Sequence, residues 1–485
     1  MSKPSLMHAD SIRRSRYAPH ALATTLTLAL ALSGCGQKPE EPAAQPAVAA
    51  AAPKVEAAIC QASSSWISNP NPPPEIAAAE TFCDFYQFSW QWFLAQVSPS
   101  TTSPGERVFE TNRLHNPNVS SGQCSLPVLL GRAAAAKMLD IRDDKPQDFE
   151  DKEADNTALY DQNGNIQRYN IWYSQAMCES TQQGFASGTF EIKVAWKILP
   201  EPVDSSYYSM QATLPGYPKP VTLGMVGFHL ANWTQNHPEM IWATFEHKTN
   251  APLCDGSSPA PASGWSYASS DAATCLTNNP QPTSGPPNSA CDGSKFNTGL
   301  VFKDSAPPIT GVPNNVCRQY AYGNQPGQSV NGNDNAANLL AIQQLNDQLV
   351  GTNGLLTKLP DTDPMAVWKH YEMIGALWTK AGASSGNAPV PHMSNGKVVP
   401  GDPTSPQRGS LELANMTMET FQQGDTSYIP NCFGCHNFDT TAPLDVSHIC
   451  ASLFSVDSTG KNCVIASTGA GPAAAPDAPA ATGKK

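Results

Sequence analysis

The clearest pattern along the chain is a strict alternation between residues 190 and 198. Phe190, Ile192, Val194, Trp196 and Ile198 are apolar, and Glu191, Lys193, Ala195 and Lys197 occupy the positions between them. Successive side chains of a strand point to opposite faces, so a period of two predicts a half-buried β-strand. Tyr207–Leu214, Val221–Thr234 and Met240–Lys248 continue in β-rich residues, separated by turn signals such as Pro-Gly-Tyr-Pro and Asn-His-Pro. Four strands at such short spacing predict an antiparallel sheet, most simply one face of a sandwich.

A helical period marks other stretches. Pro74–Val97 opens with proline and acid and then carries dense aromatics at helical spacing, which predicts a largely buried helix. Its Trp90, Trp92 and Phe93 are core residues or, alternatively, neighbours of a bound group. Asn335–Gly351 sets Leu339, Ile342, Leu345 and Leu349 on one side and ends at Gly351. Asp363-Pro364 caps a further helix to about Thr379 with Trp368, Tyr371 and Trp378, and Leu411–Gln423 reads as a helix stopped at Gly424. Pro127–Gly164, the Ser/Pro/Gly/Asn-rich stretch Cys254–Cys317 and the connector Gly382–Pro406 are loops, the second ordered by its four cysteines. The predicted class is α+β: an antiparallel β-sandwich-like body with flanking helices and a C-terminal helical segment.

The N-terminus carries an address. Arg13, Arg14 and Arg16 precede an uncharged run, Ala21–Leu32, too short to span a bilayer as a helix, which marks a secretory signal. Gln37–Ala58 is mostly Ala, Pro, Glu and Gln without an aromatic residue, so 35–58 reads as a disordered tether. Residues 59–410 form the β-rich body, 411–465 a terminal segment, and 466–485 an Ala/Pro tail. Loss of the signal (1–34) leaves 25 Lys+Arg against 40 Asp+Glu, a net charge of −15. That surface repels nucleic acid and anionic phospholipid and favours a basic partner.

The strongest chemical signal is Cys432-Phe433-Gly434-Cys435-His436. Two thiols spaced to add across the vinyl groups of a porphyrin, followed at once by an imidazole for the iron, predict one covalent haem c held by Cys432, Cys435 and His436. With 13 Cys and 10 His in the chain, chance supplies only about 0.007 copies of such a motif. Two other readings use the same thiols: a zinc site of Cys432, Cys435, His448 and Cys450, or a redox dithiol. Haem attachment outside the cytoplasm agrees with the export signal. Setting aside Cys35, Cys432 and Cys435 leaves ten cysteines, hence up to five disulfides, with Cys60–Cys83, Cys275–Cys291 and Cys450–Cys463 as nearest-neighbour pairs.

The distal iron ligand stays open among His448, Met416, Met418, Met393 and His392. On a helix Met416 and Met418 point to different sides, so at most one of them serves. His229, His237 and His247 carry no metal-ligand spacing, and cross-strand packing or hydrogen bonding is their expected role, with His229 and His247 facing each other on neighbouring strands as the metal-binding alternative. No Gly-rich phosphate loop, G-x-S-x-G elbow or H-E-x-x-H motif occurs.

Leu32-Ser33-Gly34-Cys35 resembles the lipobox of bacterial lipoproteins. The resemblance implies cleavage before Cys35, lipidation of that residue and, with Gly36 rather than Asp next, an outer membrane location facing the periplasm or the cell surface. Together with C-x-x-C-H, the chain resembles bacterial cytochrome c family lipoproteins. It departs from monohaem cytochromes in that no methionine follows His436. The expected function is electron transfer with a redox partner protein through one haem. The alternatives are a haem peroxidase or oxygenase with an open distal site, and a ligand-binding lipoprotein with a structural or sensory haem.

Overall fold

Phe190–Ile198 is a strand over its whole predicted span, and it lies in the middle of the largest sheet. The structure, a computed structural model, describes residues 59–76, 81–114, 158–178, 185–186, 188–214, 216–281, 285–300, 308–325, 329–330, 333–380, 392–394, 397–399, 407–420, 423, 431–434, 436, 446–447, 455–456 and 463–464. All belong to one compact unit, 58–485. The signal, Cys35, the tether and the tail lie outside the described residues.

The described strands are β1 (Arg113–Leu114), β2 (Arg168–Tyr173), β3 (Phe190–Ile198), β4 (Ser209–Ala212), β5 (Val221–Asn232) and β6 (Ile241–His247), then the ribbon β7 (Ser329–Val330) with β8 (Asn333–Asp334), followed by β9 (Tyr371–Thr379), β10 (His392–Ser394), β11 (Lys397–Val399), β12 (Gln407–Gly409) and the pair β13 (Ser455–Val456) with β14 (Cys463–Val464). The main sheet is antiparallel in the order β1-β2-β3-β5-β6-β9-β12, with β4 alongside the first half of β5. Its helices are α1 (Ser65–Ser68), α2 (Phe82–Val97), α3 (Gln175–Cys178), α4 (Ser270–Asn278) and α5 (Asn335–Val350).

One face of the sheet is covered by α2 and α5. Ile192, Val194, Phe228, Leu230, Phe245 and Met373 form the floor of this core. Phe93 stacks on Phe245 with ring centroids 4.0 Å apart, and Phe85 on Trp378 at the same separation. Helix α2 starts at Phe82 rather than Pro74 because Thr81 and Asp84 close a capping box: Asp84 N–H donates to Thr81 Oγ1 at 3.3 Å, and Thr81 N–H to Asp84 Oδ2 at 2.8 Å. Helix α5 matches its predicted span, with Asp334 accepting from Ala336 and Ala337 N–H and Gly351 ending it.

Three expectations change. Apart from the two-stranded ribbons β7–β8 and β10–β11, the described strands of the body fall into one large sheet with a helical layer rather than into two facing sheets. Asp363–Thr379 is not a helix: a short 3₁₀ turn, Ala366–His370, leads into β9, which pairs with β6 in the register Trp242↔Leu377 and Thr244↔Gly375. Extended backbone puts Tyr371, Met373, Ala376 and Trp378 toward the helices, and β6 supplies the hydrogen-bonding partner that an isolated reading of those aromatics lacks. Residues 411–420, expected as helix, run as turns across the opposite face of the sheet.

Among the described residues, that second face has no helical layer over its centre. The chain passes so close to it that side chains on two strand positions would collide: a Cβ on Gly227 would meet Thr417 Oγ1, and one on Gly375 would meet Ser410 Oγ. The segment's polar groups are satisfied by the sheet. Asn415 Nδ2 donates to Thr244 Oγ1 at 2.7 Å, Met416 N–H to Glu246 Oε1 at 2.8 Å, and Tyr169 OH to the Thr417 carbonyl at 3.0 Å. Glu246 also pairs with Arg318 at 2.6 Å, which ties in the disulfide-bearing loop. Cys60–Cys83 and Cys275–Cys291 are bridged as expected, and Cys254–Cys317 closes the loop that contains the second of these. The expected partner of Cys463, Cys450, lies outside the described residues.

Candidate functional site

The motif 432–436 sits on the face opposite α2. Cys432–Gly434 is a 3₁₀ turn, and His436 N–H donates to the Cys432 carbonyl at 2.8 Å. Asn431 fixes its entry: Nδ2 donates at 2.8 Å both to Gln407 Oε1 on β12 and to the Leu411 carbonyl, while Oδ1 accepts Phe433 N–H at 3.1 Å. Phe433 is fully buried with Val446, Leu413, Tyr173, Leu377 and Trp242, and the half-buried Cys432 packs on the same cluster. Cys435 and His448 lie outside the described residues.

His436 is held on two sides. Its ring lies over the Trp242 indole, centroids 4.1 Å apart and planes 35° from parallel. Its Nδ1 is 2.8 Å from the Val446 carbonyl. A carbonyl has no proton to give, so Nδ1 carries the hydrogen and Nε2 is the nitrogen with the lone pair. This is the tautomer of a histidine that binds metal through Nε2. Trp242 is itself fixed, because its Nε1 donates at 3.0 Å to the Glu239 carbonyl. An apolar wall, a half-buried thiol and an oriented imidazole are compatible with a covalent haem, which Cys432, Cys435 and His436 would hold.

The structure separates other expected residues from this place. Trp90, Trp92 and Phe93 belong to the helix-side core and do not border the motif. Met416 and Met418 are not on a helix and do not point apart: both are buried in one cluster with Tyr169, Val226 and Tyr267. Met416 Sδ accepts from Gln423 Nε2 at 3.2 Å. Met393 and His392 lie on β10, whose Cα trace comes within 8 Å of Cys432–Gly434. The three β-region histidines are engaged singly. His229 meets Glu419 at 2.6 Å and His237 meets Glu239 at 2.9 Å, whereas His247 stacks on Tyr207 and burial drives its pKa down to about 3. In the ladder His229 stands opposite Thr244, not His247. Among the described residues no group of three or more His, Cys, Asp or Glu is arranged to hold a metal ion.

Sequence reasoning missed Trp242. The alternation Ile241, Ala243, Phe245 against Trp242, Thr244, Glu246 assigns it to the far face, but nothing local names a residue 194 positions away as its neighbour. The same row of the sheet runs Tyr173, Glu191, Ala231, Trp242 in register. Glu191 is buried there with Oε2 lacking a hydrogen-bond partner, and desolvation, only partly offset by Lys193, raises its carboxyl to about 8. A carboxyl raised in the folded state binds protons that the unfolded chain has released. Its contribution to stability is complete below the ordinary value of 4.5 and is lost as pH rises through about 8. Glu191→Gln is therefore expected to flatten the fall in unfolding free energy between pH 5 and pH 8, measured by denaturant titration; an unchanged slope would remove Glu191 as its source.

Among the described residues no helix is long and apolar enough to cross a membrane. Compared with known proteins, the chain matches no family model, no curated protein and no solved structure.

Proposed function

We propose that the chain is a c-type cytochrome that transfers electrons through one haem attached at Cys432 and Cys435 and ligated by His436. The observation that carries this reading is the Nδ1–H bond from His436 to the Val446 carbonyl, with the ring seated on Trp242. It orients the imidazole and makes it a stronger donor before any iron arrives. The haem supplies one-electron chemistry when bound. The protein's share is to present Nε2, to keep one side of the site dry with Phe433, Val446 and Trp242, and to hold the turn in place through Asn431. The export signal, lipidation at Cys35 and the acidic surface extend the proposal to an outer membrane lipoprotein exchanging electrons with a basic periplasmic or surface partner.

The full chain, produced where cytochromes are matured, is expected to give a visible spectrum of a six-coordinate low-spin ferrous haem indifferent to carbon monoxide. A high-spin iron that binds carbon monoxide would replace electron transfer by the enzymatic reading. A colourless protein, with or without zinc, would end both.

A further inference from the structure

A carboxyl group facing an apolar cluster is costly unless it is paired, and Oε2 of the buried Glu191 has no hydrogen-bond partner. Glu191 stands between Tyr173 of β2 and Ala231 of β5, in the row that ends at Trp242 and on the face that carries the motif. Tyr173, Ala231 and Trp242 belong to the apolar cluster that holds Phe433 and Val446. Two strand spacings of about 4.7–4.9 Å each separate Glu191 from Trp242, and the centroid of the His436 ring lies 4.1 Å from that of the indole. Among the described residues, the titratable groups around Glu191 on this face are few. Tyr173 faces it from β2, and Lys193 follows two residues along β3. His229 stands opposite Lys193 on β5 and meets Glu419 of the crossing segment at 2.6 Å. His436 completes the set from the motif. The His229 and Glu419 side chains are 19% and 22% exposed, so this polar row leads from the buried carboxyl out to water.

We propose that Glu191 takes up a proton from water when the haem receives its electron, so that the protein carries a proton with the electron, an inference that rests on reading 432–436 as a haem site. A ferric porphyrin bears one more positive charge than a ferrous one. The oxidised state therefore favours the Glu191 carboxylate and the reduced state the carboxylic acid, and in surroundings of low dielectric that difference is felt across two strands. The electron comes from the redox partner and the proton from water, and the negative charge gained at the iron is offset by the one lost at the carboxylate. The group can respond because desolvation, only partly offset by Lys193, raises its carboxyl to about 8, where both protonation states are within reach. Tyr173 cannot take this part: burial, reinforced by the facing Glu191, keeps its hydroxyl protonated.

The test is the midpoint potential of the full haem-loaded chain, followed spectroelectrochemically between roughly pH 5.5 and pH 9.5. The wild-type potential is expected to fall as pH rises through about 8 and to level off on either side. Glu191→Gln is expected to keep its covalent haem and lose that fall. Lys193→Gln, which removes the cation favouring the carboxylate, is expected to move the fall to higher pH. In a reduced-minus-oxidised infrared difference spectrum within the same window, the wild type is expected to gain a protonated-carboxyl band that heavy water shifts and that Glu191→Gln lacks. A wild-type potential independent of pH, a fall that persists in Glu191→Gln, a fall that stays in place in Lys193→Gln, or a missing carboxyl band overturns the coupling and leaves the haem reading standing. Should Glu191→Gln fail to fold, Lys193→Gln and the wild-type infrared band decide. A colourless wild type overturns the haem reading and the coupling together.

Discussion

Replacing Cys432 and Cys435 together by Ala is expected to abolish covalent haem, seen as complete loss of the Soret band and of haem-dependent peroxidase staining on a denaturing gel. Each thioether is one bond to the porphyrin, so either single replacement is expected to lower haem yield and the pair to remove it. His436→Ala tests a different role: it leaves both thiols and removes the imidazole that the Val446 carbonyl and Trp242 hold in place. The body should survive all of these changes. No described residue of the motif enters the helix-side core of α2, α5 and the sheet, and the cooperative unfolding of that core is the control for folding. If the double replacement retained a covalently coloured band, attachment at this pentapeptide would be wrong. Stoichiometric zinc in the wild type, lost with the thiols, would establish the zinc reading instead.

Arg318→Ala is expected to destabilise the body by about 3–5 kcal/mol, the usual cost of stranding the partner of a buried ion pair. The guanidinium joins three parts of the molecule. It pairs with Glu246 on β6 at 2.6 Å, donates to the Ala414 carbonyl at 2.7 Å, and sits one residue beyond the Cys254–Cys317 disulfide. Both side chains are largely excluded from water, at 10% and 3% exposure, so the carboxylate left behind has little solvent to turn to. Glu372, whose carboxyl burial raises, also loses a facing cation. Adding Glu246→Gln should recover part of the loss, because the amide removes the unpaired charge and its oxygen still accepts Met416 N–H. Guanidinium titration measures both variants; a loss below about 1 kcal/mol for Arg318→Ala would mean the pair behaves as an exposed one.

Glu191, in the sheet row that holds Trp242, gives the fold a pH response opposite in sign to that of the buried His247. Glu191 favours the folded state at low pH and loses that effect as pH climbs toward about 8. His247, whose pKa burial drives down to about 3, favours folding above the ordinary imidazole range and opposes it as acid is added. The two therefore squeeze stability from opposite ends.

Much of the β body was readable along the chain because each strand that carries a local alternation, above all 190–198, keeps its faces whichever neighbours it meets. β2 was not: Arg168 and Asn170 are buried on the helix-side face, so its polar positions do not mark a wet side. The site was legible only as covalent chemistry. Its donors are contiguous, whereas Trp242, Val446, Asn431 and Gln407 come from distant parts of the chain and are joined only by the sheet.

The amino-acid sequence by itself determined the periods of β3 and α5 and carried the N-terminal pattern on which the proposed export and lipidation rest, and the pentapeptide with its thiols and imidazole, because all of these depend on spacing within a few residues. Tertiary structure decided that 371–379 is a strand, since β6 offered unpaired backbone to it. It also decided that 411–420 unwinds into turns, since Thr244, Glu246 and Tyr169 satisfy the polar groups that a helix would have paired internally. Above all it chose the face: α2 and its aromatics cover one side of the sheet and the motif lies on the other. Which side a segment takes is set by what remains uncovered when the strands have paired, and no local pattern carries that information.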